Sequence, residues 1–166
     1  MNAKGRKAAA LMLAAMLSAA GSAALADHDA SFAGHYTTAS LSTQEQKAGN
    51  LLNSDRARYN LAPLVIDPEL SRIARVKSQD MRDHQYFAHT SPTYGDVHSM
   101  LRRFGYAFAQ AGENIAHHKS VDKAQAAFLS SPGHRKNIMS SAYTKVGLGV
   151  AIGDTGDVYL TQIFVR

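Results

Sequence analysis

The most constraining stretch of this sequence lies near its end. In Val146-Gly147-Leu148-Gly149-Val150-Ala151-Ile152, bulky and nearly bare residues alternate. Alternation with a period of two marks a strand, so Val146, Leu148, Val150 and Ile152 share one face, and Gly147, Gly149 and Ala151 share the other. A strand face reduced to glycine lets another backbone or a helix approach closely. Asp154-Thr155-Gly156-Asp157 then reads as a turn, and VYLTQIFV returns as the partner strand.

The rest of the chain supplies helices to cover such a sheet. Ser42 or Thr43 can cap a helix running to about Asn60, with Glu45 or Gln46 near the position for a capping box. Leu51, Leu52 and Tyr59 give it an apolar stripe that Asp55 interrupts, and Pro63 forces Ala62 into extended geometry. Asp67-Pro68-Glu69 is a helix start: an acceptor at the cap, proline in the first turn, then an acid. Leu70, Ile73, Ala74 and Met81 follow at helical spacing, which predicts a helix to about Gln85. Asp96 can cap a short helix through Arg103, closed by Gly105. Gly112 to His117 reads as a strand, and Ser120 caps a third long helix with Ala124, Ala127 and Phe128 on its buried side. Ser131-Pro132 repeats the pattern of Asp67-Pro68. Three long helices, one or two short ones and a sheet of at least three strands make an α/β layered domain.

The beginning of the chain has a different character. Lys4, Arg6 and Lys7 precede an apolar run from Ala8 to Ala20, and Ala24-Leu25-Ala26 has the small-x-small form of a cleavage site. This is the plan of a secretory signal peptide over residues 1–26, and the apolar run is too short to span a bilayer. Residues 27–42, small and polar, read as a linker or loosely docked arm, and 43–166 as one domain. The expected location is secreted or periplasmic after cleavage near Ala26. Cleavage leaves 15 basic against 13 acidic residues, and no basic block interleaves with aromatics, so nucleic acid is not an expected partner. No second apolar run could cross a membrane. With no cysteine, an exported chain of this kind depends on packing, or on a bound ion, rather than on disulfides.

Chemistry must come from the eight histidines, at 28, 35, 84, 89, 98, 117, 118 and 134, and from the acids. No compact metal motif such as H-E-x-x-H is present, so a metal site would have to be assembled from distant segments. Glu113, between Gly112 and Asn114 at the start of an apolar strand, either faces solvent or is buried with a partner. A nearby histidine would be such a partner and would tune it as an acid or base. Neither a G-x-S-x-G elbow nor a cysteine nucleophile is present.

Three stretches taken together carry a resemblance: FAHTSP (87–92), GENIA (112–116) and SPGHRKNIM (131–139). In order and spacing they resemble the motifs of the bacterial, cysteine-free branch of the CAP superfamily, or SCP domain, which includes cysteine-rich secretory proteins, antigen 5 and class 1 pathogenesis-related proteins. LLNSDRARYNLAPLVIDPELSRIARVKSQDM and the final VGLGVA and YLTQIF fit as well. The resemblance implies a three-layer α-β-α sandwich around a small, mainly antiparallel sheet. It also implies an open groove that can hold a divalent cation, often Zn2+, and an extracellular ligand: a lipid, a peptide or a cell-wall fragment. On this basis His89 and His134 match the metal histidines, and Glu113 matches the first acid, the candidate catalytic residue if the protein is a metal-assisted hydrolase. Ser131 stands where the second acid would be, and Phe128 where a tryptophan would be. The two other readings are a binding module, which the missing acid favours over catalysis, and a purely structural His/Glu cluster. Gly133 would let backbone approach His134, which sits at a helix N-terminus that favours its neutral, metal-binding form.

Overall fold

The computed structural model describes residues 40–166, so the leader over 1–26 and most of the arm over 27–42 lie outside the described residues. The elements are α1 (Thr43–Arg58), β1 (Val65–Ile66), α2 (Pro68–Asp83), α3 (Val97–Arg103), β2 (Ala111–His118), α4 (Val121–Ser130), α5 (Pro132–Met139), β3 (Lys145–Ile152) and β4 (Val158–Val165). The sheet order is β1-β3-β4-β2. The β3–β4 and β4–β2 pairs are antiparallel, and the two-residue β1 is parallel to β3.

The expected caps form. Ser42 and Glu45 close a capping box on α1, and Asp67, Asp96 and Ser120 each accept a backbone N–H of the helix they start. Ser131 stands at the N-cap of α5 without a side-chain capping bond.

Two apolar clusters fill the space on either side of the sheet. On one face, Ala48 and Leu52 of α1, Ala124 and Phe128 of α4 and Ile138 of α5 pack on Val146, Leu148, Leu160 and Phe164. On the other, Leu70, Ile73 and Ala74 of α2 and Met100 and Leu101 of α3 pack on Ile163 and Val165. The fold is therefore the α-β-α sandwich, and the bare face of β3 lies against α2. A Cβ on Gly147 would sit 2.3 Å from the Leu70 carbonyl carbon, and one on Gly149 would sit 2.1 Å from that of Ala74.

Some local expectations fail. Tyr59 is exposed and carries the Arg135 guanidinium over its ring at 4.9 Å, so the α1 stripe is Ala48 and Leu52 with Leu51 partly buried beside them. Ala127 faces solvent, and Gln125 is buried in its place. Ile152 is exposed where β3 runs out past the covering helices. Gly133 admits no close backbone, since a Cβ there would meet nothing within 4 Å.

Candidate functional site

β2 is an edge strand, and successive side chains on it point to opposite layers. Glu113 faces the α2 layer and Asn114 the α4–α5 layer, so the start of β2 reaches into both. Gly112 just before them is closely overlaid by side chains: a Cβ there would lie 2.4 Å from the Tyr143 hydroxyl, which would have to shift.

His89 arrives on the loop that follows α2. That loop is tied to the helix by buried polar side chains. Lys77, 1 % exposed, donates to the Ala88 carbonyl at 2.8 Å and to the Tyr86 hydroxyl at 3.2 Å. The Tyr86 hydroxyl in turn donates to Asp80, as does Ser91 at 2.7 Å. Burial lowers the pKa of Lys77, while Glu113 and Asp80 oppose that shift. Burial, then the Asp80 hydrogen bond, raises that of Tyr86. The loop is thus tied to α2 on both sides of His89, through Tyr86 and Ala88 before it and Ser91 after it, and His89 stands out at the tip with its side chain 58 % exposed.

His89 Nδ1 lies 2.7 Å from Glu113 Oε1, and the Glu113 side chain is only 4 % exposed. A carboxylate only accepts, so against an ionised Glu113 the proton of this contact lies on Nδ1, and in the neutral form of the ring Nε2 is then the nitrogen with the lone pair. No hydrogen bond among the described residues engages that Nε2, and none engages the buried Glu113 Oε2.

His134 comes from the first turn of α5. Its ring packs edge-on to Phe128 at 5.1 Å and stands 6.4 Å from the His89 ring, centroid to centroid. Burial, then the proximity of His89, lowers its pKa, so it is neutral at pH 7. The α5 turn is held by amides. Asn114 donates to the His134 carbonyl at 3.1 Å and to Gln162 at 3.1 Å. Asn137 donates to the Glu113 carbonyl at 3.2 Å and to Asn114 Oδ1 at 2.9 Å. Gln162 continues to Gln125, and Gln125 to Asp55, each at 2.8 Å.

The structure brings His89, Glu113 and His134 to one edge of the sheet. Ser131 is half-buried at the α5 N-cap, and its side chain makes no hydrogen bond to the other three among the described residues. Sequence reading missed Asn114, Gln125, Gln162 and Lys77. Only Lys77 left a signal, a lysine among Leu70, Ile73, Ala74 and Met81 on the apolar stripe of α2.

The donor set suits zinc in kind: two imidazoles, one of them braced by a carboxylate behind it. The spacing is wide. With Zn–N bonds of about 2 Å, two imidazoles on one tetrahedral ion hold their centroids roughly 5 Å apart, about 1 Å closer than here. Among the described residues no three His, Asp or Glu side chains are already arranged around one point for a metal.

The profile described as the cysteine-rich secretory protein family, CAP, matches residues 50–164. YkwD of Bacillus subtilis is 43 % identical over 127 residues, covering 76 % of this chain and 48 % of YkwD. An extracellular SCP-domain protein of Bacillus anthracis superposes with a TM-score of 0.66 at 34 % identity, over 77 % of this chain and 45 % of that one. The chain thus spans about half the length of these relatives. An outer surface protein of Borrelia burgdorferi shares the fold, with a TM-score of 0.69 at 18 % identity, over 76 % of this chain and 96 % of that one. No described helix is long and apolar enough to cross a membrane.

Proposed function

The chain belongs to the cysteine-rich secretory protein (CAP) family, and from that premise we propose that it is an exported binding module whose groove at His89, Glu113 and His134 takes up a divalent cation and an extracellular ligand. The observation that carries this reading is the exposed His89 braced on the buried Glu113 carboxylate at 2.7 Å, with the His134 ring across from it. A buried acid behind an exposed imidazole is the arrangement that orients a histidine toward a metal or an acidic ligand group. Zinc, when bound, would supply a Lewis-acidic centre for a carbonyl, carboxylate or phosphate oxygen of a lipid, peptide or wall fragment. His89 and His134 would hold it, with Glu113 fixing the tautomer of His89.

Binding is favoured over hydrolysis by the state of Glu113. A general base has to touch the water it activates. One Glu113 oxygen is taken by His89, and the other is buried out of reach of solvent. Secretion rests on the leader-like residues 1–26 and on the extracellular nature of the Bacillus anthracis relative.

Zinc titration by calorimetry is the test. The expected result is saturable uptake that is lost in His89→Ala and His134→Ala and weakens below about pH 6, where imidazoles protonate. Equal zinc affinity in both variants would remove these residues as ligands. Peptide or ester hydrolysis that disappears in Glu113→Gln, with the fold intact, would replace binding with catalysis.

A further inference from the structure

A second polar concavity lies at the other end of β2. A cleft of about 400 Å³ opens between the C-terminal end of α2 and the β3–β4 turn, lined by Asp83, Gln85, Asp154, Thr155, Asp157 and Tyr159. We propose that this cleft binds a sugar ring, neutral or amino-bearing, of an extracellular glycan. It lies apart from the His89 groove and does not depend on metal uptake there.

The lining is what a pyranose needs. Such a ring offers hydroxyls in neighbouring pairs, each both donor and acceptor, around an apolar C–H face. Carboxylates and amides meet hydroxyl pairs with two coplanar polar atoms, and the volume falls in the range of small-ligand pockets, roughly 300–1,000 Å³. Tyr159 lines the cleft, and the part of its ring that His117 does not cover can meet the C–H face. Its plane is fixed by the His117 ring stacked on it at 4.0 Å and 14°. Phe87, 51 % exposed and 6.3 Å from His117, extends the aromatic strip beyond the cleft.

Part of the polar lining is pre-set and part is unused. Asp157 accepts from the Thr155 hydroxyl and meets His117, which together hold its pKa down to about 2, so it remains an acceptor. Asp154 and the Gln85 side chain make no hydrogen bond among the described residues. Gln85 also sits in the left-handed region, at φ 52°, just past the end of α2. Glycine adopts that conformation without strain, so a glutamine there costs stability and places an amide at the rim. Among the described residues, the lining carries three carboxylates and the Arg82 guanidinium, which pairs with Asp83 at 2.6 Å. That balance disfavours acidic sugars.

The test is a titration followed by amide NMR, using cellotriose, a β-1,4-linked glucosamine trisaccharide, trigalacturonate and trilysine. Saturable shifts at residues 153–159 and at Gln85 are expected with the first two and not with trigalacturonate. Asp154→Ala, an exposed turn position, should weaken sugar binding about tenfold. Gln85→Gly should raise the melting temperature while weakening binding several-fold, a pairing that a merely structural glutamine would not produce. Absence of saturable sugar shifts, saturation by trilysine alone, or unchanged sugar affinity in both variants would overturn the proposal.

Discussion

β3 and β2 flank β4 on opposite sides, and they meet their neighbours by opposite means. β3 gives up side chains: Gly147 and Gly149 leave room only for the backbone of α2. β2 keeps polar ones and buries them, with Glu113 9 % and Asn114 0 % exposed. A steric contact asks nothing chemical of its partner. A buried polar group has to be matched atom by atom, so Asn114 draws Gln162, Asn137 and the His134 carbonyl to it, and Glu113 draws His89. The glycine side fixes the frame, while the polar edge decides where the His89 loop and α5 come to rest. Glu113 Oε2, a buried oxygen with no hydrogen-bond partner among the described residues, is at that edge.

The comparison breaks most visibly at Gly149. In Gly149→Ala the new methyl would lie about 2 Å from three backbone atoms of α2, and no rotamer change can relieve that. We expect a loss of about 4 kcal/mol or more in urea unfolding, at the top of the range for single substitutions. Wild-type stability in this variant would mean that α2 does not seat on β3 through bare backbone. Asn114→Leu comes next. It keeps the volume roughly constant but strips partners from Gln162, Asn137 and the His134 carbonyl, for an expected loss of about 2–4 kcal/mol. Amide exchange should also quicken in α5 while the α2–β3 contact stays protected. Loosening of both regions together would show that the two sides of β4 are not independent.

The same contrast explains what could be read in advance. The β3 alternation, the Asp67-Pro68 start and the caps at Ser42, Asp96 and Ser120 are local patterns whose physics is contained within a few residues, and the structure has them. Glu113 stood out as an acid at the start of an apolar strand, but His89 and His134 were legible as its companions only through resemblance, because 24 and 21 positions separate them from it and no spacing rule spans such gaps. The amide chain from Asp55 to Asn137 left no pattern, since glutamine and asparagine are ordinary surface residues until a fold buries them. Tyr59 and Ala127 were misplaced for local reasons: Tyr59 stands at the C-cap, past the last turn of α1, and the buried stripe of α4 is Val121, Ala124, Gln125 and Phe128, which leaves Ala127 off it.

The smallest effect sharpens the contrast through pH. Gly147 and Gly149 meet α2 as backbone against backbone, whereas the β2 edge holds His134, whose folded-state pKa is lowered by burial and by His89. Between that value and the unfolded pKa of about 6.5, the unfolded chain binds more protons than the folded one, so stability rises with pH through this window. The contribution is complete above about pH 6.5 and is lost as pH falls through the folded pKa. Urea midpoints taken at about pH 7.5, 6.5 and 5.5 should therefore fall more steeply for the wild type than for His134→Gln, and the difference between the two curves isolates this histidine from the other seven. Parallel curves would mean that His134 is as well solvated in the folded protein as in the unfolded chain, and the edge of β2 would then lack the dry wall that the proposed cation site needs.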